Sequence, residues 1–128
     1  MNSQKVLKIA SIFGVLAVVI GAFGAHGMER ILIENNRVET FETAVQYHFY
    51  HTIALLTVSV FFQNKMSSYL KWSAYLFIVG IVVFSGSLYV LSLTNITILG
   101  AITPFGGLSF IGGWIALFLS AKEQNFSA

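Results

Sequence analysis

The sequence predicts an all-α integral membrane protein, a four-helix bundle with both termini in the cytoplasm. Three observations carry that prediction. Of the 128 residues, 56% are hydrophobic and only 9% charged, with a mean hydropathy of +0.80, too little polar surface to cover a soluble globule. Four uncharged runs, residues 9–25, 44–62, 72–93 and 96–121, contain 17, 19, 22 and 26 residues, where a spanning helix needs about 20. In a four-span arrangement Lys5, Lys8, Lys65, Lys71 and Lys122 fall on one side and only Arg30 and Arg37 on the other, which places both termini inside.

The first run follows Lys5 and Lys8. Its small residues Ala10, Gly14, Ala17, Gly21 and Ala25 share one helical face, as expected where backbones must approach closely in lipid. A secretory signal peptide competes on the basic start, the apolar core and the Ala22-x-Gly24 sequence. Such a signal has a shorter apolar region and needs no packing face.

Residues 26–43 hold four of the five acidic residues, Glu29, Glu34, Glu39 and Glu42, among apolar ones such as Ile31 and Phe41. This mixture suits a segment lying at the membrane interface. Asn36 followed three positions later by Glu39 resembles a capping box, so the second helix is expected to begin near Arg37, a turn or two outside the bilayer. That helix contains Gln46-Tyr47-His48-Phe49-Tyr50-His51.

Ser67 or Ser68 is available to cap the third helix, and a tight turn around Thr94 and Asn95 links it to the fourth. The only proline, Pro104, leaves two readings open. Either it kinks a helix running from about residue 96, or Thr103 is an N-cap and Pro104 the first helical residue. Beyond it Gly106, Ser109, Gly113, Ala116 and Ser120 repeat the small-residue stripe. Gly14, Gly21, Gly106 and Gly113 are the expected helix-packing positions. Tyr69 and Trp72 fall at the inner interface, Tyr47 and Tyr50 at the outer one, as an aromatic belt predicts.

Depth along each helix, at 1.5 Å per residue, gathers polar groups into the outer leaflet. His26 lies at the boundary, and His51, Ser87 and Thr103 lie roughly 10 Å inside it. Ser85 and Tyr89 are close in level, with His48 as an adjunct. The candidate cluster is therefore His26, His51, Ser85, Ser87, Tyr89 and Thr103.

His48 and His51 share a face, yet a transition-metal site needs further ligands, and only His26, Glu29, Glu39 or Glu42 could supply them. There is no cysteine and no HExxH pattern, so neither metal nor cofactor is expected. Buried histidines bonded across helices to serine, threonine or tyrosine explain the pattern better. Catalysis is not expected either. Ser85 or Ser87 beside His51 would lack a group to orient the imidazole, and the glycine pairs 106–107 and 112–113 follow no strand and precede no lysine, so they form no phosphate cradle. No basic, aromatic-interleaved patch points to nucleic acid. Proton-coupled transport normally uses an ionised group deep in a span, and none is present here.

Gly21-Ala-Phe-Gly-Ala-His26, Gln46-x-x-x-x-His51, Phe84-Ser-Gly-Ser-Leu-Tyr89 and Thr103-Pro-Phe-Gly-Gly-Leu-Ser-Phe-Ile-Gly-Gly-Trp114 occur in that order across nearly the whole chain. With these motifs it resembles a family of small four-helix bacterial membrane proteins, with mitochondrial relatives, catalogued as a domain of unknown function. The resemblance implies a bacterial cytoplasmic membrane and brings no activity or cofactor. It gives weight to His26 and His51, and implies that glutamine is acceptable at the position of His48. The expected role is structural or interactive, through self-association or a larger membrane complex, with the bilayer as surroundings. The competing role is a small transporter or channel with an outer vestibule lined by His26, His51, Ser87 and Thr103.

Overall fold

The computed structural model describes residues 1–63 and 67–123; Lys65, used above for orientation, lies outside them. Helix α1, Ser3–Ala25, begins where the Asn2 side chain accepts the Lys5 amide proton at 2.9 Å, an N-cap that places both early lysines inside the helix. A short helix α2, Glu29–Glu34, precedes α3, Val38–Phe61. Ser67 caps α4, Ser68–Gly80, through the amides of Tyr69 and Leu70, and its hydroxyl also donates to Glu123 at the far end of the chain. A π-helical turn, Ile81–Ser85, continues α4 into α5, Gly86–Thr94. The 3₁₀ turn Thr97–Ala101 leads into α6, Thr103–Glu123.

Three of these rods, Ser3–Ala25, Ser68–Thr94 and Thr97–Glu123, are long and apolar enough to cross a membrane. At 24 residues α3 has the length, but Gln46, His48 and His51 lower its hydropathy.

Two local readings are corrected. Asn36 does not cap α3. Its φ of 55° is left-handed, its amide donates to Ile33 O at 3.0 Å, and the Arg37 amide donates to Leu32 O at 2.8 Å. This pair of bonds ends α2 in a Schellman motif, and Arg37, whose side chain makes no capping bond, precedes α3. Nor does Thr103 cap α6. Its hydroxyl donates back to Leu99 O at 3.2 Å, and the chain is helical on both sides, so Pro104 follows a tight 3₁₀ turn.

The helices pack in sequence. α1 lies along α3, α3 along the α4–α5 rod, and that rod along α6. The main core joins Val6 and Ala10 of α1, Leu55 and Val58 of α3, Leu70, Ala74 and Phe77 of α4, and Phe110 of α6. In lipid there is little hydrophobic drive between helices, so association rests on close packing and interhelical hydrogen bonds. The serines supply such bonds: Ser3 to Ser59 O at 2.9 Å, Ser73 to Gly113 O at 2.9 Å, Ser85 to Ala44 O at 2.8 Å and Ser109 to Leu76 O at 2.7 Å. At the end of the bundle opposite the start of α1, the Asn35 amide donates to the carbonyls of Ser92 and Leu93, at 3.0 and 3.2 Å. Arg37 Nε donates to Asn95 Oδ1 at 3.0 Å. These contacts fasten the α2 segment over the C-terminus of α5, where unpaired carbonyls accumulate.

The four glycines expected to pack helices differ in how tightly they do so. A Cβ on Gly106 would stand 2.4 Å from the Phe84 backbone nitrogen, and one on Gly113 2.7 Å from the Phe77 ring. At Gly21 the nearest atom, on Val45, would be 3.3 Å away. At Gly14 the contact with Thr52 would be an ordinary 3.8 Å. Gly24 and Gly80, outside that set, are pressed as closely as Gly106 or more so, with ring atoms of Phe41 at 2.1 Å and of Phe110 at 2.4 Å from the built Cβ. Gly14→Ala should therefore stabilise the protein by about 0.5 kcal/mol, through relief of the helical cost of glycine. The midpoint of a dodecyl-sulfate unfolding titration checks this; a lower midpoint would show a closer α1–α3 contact.

Candidate functional site

The candidate cluster resolves into separate pairs. Ser87 and Thr103 hydroxyls meet at 2.7 Å, joining α5 to the start of α6. Ser85, two residues before Ser87 at the end of the π-turn, is fully buried and bound to Ala44 O on α3. Tyr89 bonds His48 instead, its hydroxyl 2.9 Å from Nδ1. His26 is exposed at the end of α1 beside Gly27, and among the described residues no hydrogen bond joins it to the others.

His51 has another set of neighbours. Trp114 of α6 donates its indole N–H to His51 Nε2 at 3.1 Å. An indole nitrogen only donates, so Nε2 is the acceptor and the ring carries its proton on Nδ1, which donates to Tyr47 O at 2.8 Å. The imidazole stacks on Phe110 with centroids 3.5 Å apart and planes 11° from parallel. Both ring nitrogens and one face are thus occupied by the fold. Phe110 and Trp114 were carried in the sequence only as parts of a motif. Their spacing of four, in register with Gly107, was the signal that α6 has an aromatic face beside its small-residue stripe.

His48 is the second buried histidine, 3% exposed. Its ring stands edge-on to Phe13 at 5.8 Å, and its buried Nε2 has no hydrogen-bond partner among the described residues. His48 and His51 share one side of α3 but reach different partners, α1 and α5 for one and α6 for the other. Among the described residues no three histidine or carboxylate side chains converge as a metal site.

Two of the openings at the surface border α3. One, of about 550 Å³, runs between α3 and α6. Tyr47, Tyr50 and His51 form one wall, Gly107, Phe110 and Trp114 the other. Phe84 of the π-turn closes its back, stacked on Tyr47 at 4.7 Å. The other, of about 400 Å³, lies between α1 and α3, where Glu42 and Gln46 line a cleft floored by Gly21 and Ala25.

Comparison with known proteins extends the reading. The family model described as "Protein of unknown function (DUF423)" matches residues 20–107. The chain is 46% identical over 117 residues to the UPF0382 membrane protein YwdK of Bacillus subtilis, covering 90% of this chain and 94% of the relative. It is 44% identical over 118 residues to the UPF0382 membrane protein SH2409 of Staphylococcus haemolyticus, covering 89% and 95%. The UPF0382 inner membrane protein YgdD of Escherichia coli K12 is 37% identical over 123 residues, covering 94% and 92%. No solved structure matches. An all-helical chain with three rods able to cross a membrane, matched by that model over residues 20–107 and by these relatives along nearly its full length, belongs to the DUF423 family of membrane proteins.

Proposed function

We propose that this protein is a non-catalytic, four-spanning component of a bacterial cytoplasmic-membrane assembly, with both termini inside, acting through contacts of its lipid-facing surface. In this reading α3 is the fourth span, its polar face covered by α1, α5 and α6. The carrying observation is that Ser85, Ser87, Thr103 and His51 each engage a hydrogen-bond partner within the chain, so they offer no connected line of free polar groups to a solute. The deep spans also lack a fixed charge of the kind that carries an ion or proton. The naming of YgdD as an inner membrane protein supports the location.

Native mass spectrometry of the protein extracted from its own membrane tests the assembly. A homo-oligomer or a stoichiometric second polypeptide supports it, and a bare monomer under mild extraction overturns it. The transport alternative is tested by His51→Ala. Losing the stacked ring and orphaning the Trp114 N–H should lower stability by about 2 kcal/mol without changing solute flux in liposomes. A fully folded variant that selectively loses flux would make His51 a transport residue.

A further inference from the structure

The groove between α3 and α6 has a chemistry more specific than a gap between helices. Its lining includes no Lys, Arg, Asp or Glu, so it offers no ion-pair partner to a charged headgroup. The walls are aromatic rings, with Ile111 as the one aliphatic side chain. Disordered acyl chains gain little from such walls, whereas a flat conjugated ring gains offset stacking. The walls are also fixed in advance. His51 is held at both nitrogens and stacked on Phe110, and a ligand that finds its site already ordered pays less on binding.

Two further features shape the opening. The π-turn carries Phe84 to the back of the groove, between Tyr47 at 4.7 Å and Phe110 at 5.4 Å. Single π-turns inside α-helices recur at functional sites. Opposite, Gly107 leaves its surface bare, since a Cβ there would meet only the Phe84 ring at 3.9 Å. At the mouth stand the phenols of Tyr47 and Tyr50, 39% and 58% exposed, whose hydroxyls make no hydrogen bond among the described residues. From Gly107 to Trp114 the groove runs roughly 10 Å along α6 at 1.5 Å per residue, and its volume of about 550 Å³ lies within the range of small-molecule sites.

We propose that this groove binds the ring of an isoprenoid quinone, a neutral, planar, lipid-soluble molecule, with a ring carbonyl accepting a hydrogen bond from Tyr47 or Tyr50 and the tail leaving through the open side into lipid. The proposal concerns binding alone and goes beyond the assembly role, because the occupant is a lipid rather than a polypeptide.

Trp72→Phe leaves Trp114, which lines the groove, as the only tryptophan, and a quinone quenches tryptophan fluorescence. The experiment titrates the full-length Trp72→Phe protein in nanodiscs with 2-methyl-1,4-naphthoquinone carrying a short isoprenyl tail. The expected result is saturable quenching at one quinone per chain. Gly107→Leu, which fills the groove, should weaken it at least tenfold, and Tyr47→Phe or Tyr50→Phe severalfold. Tyr50 is exposed at its tip, so its variant keeps the test decisive if Gly107→Leu does not fold. Quenching that rises linearly with quinone and is the same in every variant is collisional and overturns the proposal. Quenching by brominated phospholipid that quinone fails to displace gives the groove to ordinary lipid and also overturns it. A photo-crosslink from position 111 to a polypeptide in native membranes, undiminished by quinone, assigns the groove to a partner helix with the same consequence.

Discussion

Gly106→Ala should destabilise the protein by about 3 kcal/mol, while the same change at the neighbouring Gly107 should stay within about 0.5 kcal/mol of neutral. The contrast follows from what each new methyl group would meet. On Gly106 it would lie 2.4 Å from the nitrogen and 2.7 Å from the Cα of Phe84, on Gly107 3.9 Å from the edge of the same residue's ring. A ring can rotate away, but the backbone of a π-turn held by the Ser85 bond to Ala44 O can move only by moving the helix. α6 would have to leave the rod it packs on, and in lipid that close approach is itself the source of association. Dodecyl-sulfate unfolding of the two variants, followed by circular dichroism, decides the matter. Equal midpoints would mean that α6 and the π-turn are further apart than described.

Phe77→Ala should cost a comparable amount, about 3–4 kcal/mol. Phe77 is among the largest fully buried side chains and lies where α3, α4 and α6 meet, its ring 5.2 Å from Trp114 and 5.7 Å from His51. Because a protein interior and a lipid tail are similarly apolar, little of the loss is transfer free energy; most is lost dispersion contact around a cavity the helices cannot collapse into. A second measurement isolates the cause. The Cβ built on Gly113 falls 2.7 Å from the Phe77 ring, so adding Gly113→Ala to Phe77→Ala should cost about 1 kcal/mol less than the two separate losses sum to. Strict additivity would show that the ring does not press on Gly113.

The apolar runs were legible because lipid imposes one rule, about 20 residues without charge, that composition alone can meet. Their ends were not. Lys5 and Lys8 close the uncharged run but not α1, since lysine is a good helix former and its long side chain can extend away from the apolar region. Asn36 misled because asparagine is favoured both before a helix, where its side chain accepts, and after one, where it tolerates positive φ. One pattern therefore fits two geometries. The π-turn left no trace, because one widened turn barely disturbs a 3.6-residue period in a run that is apolar on every side.

The candidate cluster shows the same division. Counting residues from each helix end put Ser87 and Thr103 at one level, and their hydroxyls lie 2.7 Å apart. Depth carries no information about direction around a helix. His51, at that same counted level, points instead to Trp114 on α6, and His48, a turn away, to Tyr89. Packing decides which way each imidazole turns, and the packing glycines were only partly visible. A small-residue stripe shows where backbones can approach, not which glycine is pressed. Gly24 against Phe41 and Gly80 against Phe110 became evident only with the opposing ring in place.

The tie between Asn35 and Arg37 on one side and residues 92–95 on the other joins parts of the chain that leave the ribosome at different times. Synthesis runs from the N-terminus, so the α1–α3 hairpin emerges with the amide of Asn35 and the guanidinium of Arg37 awaiting acceptors that the chain does not yet contain. The fastening cannot close until Asn95 has been made and delivered to the same side of the bilayer. A nascent chain stalled earlier carries the strap open, with these donors still facing water.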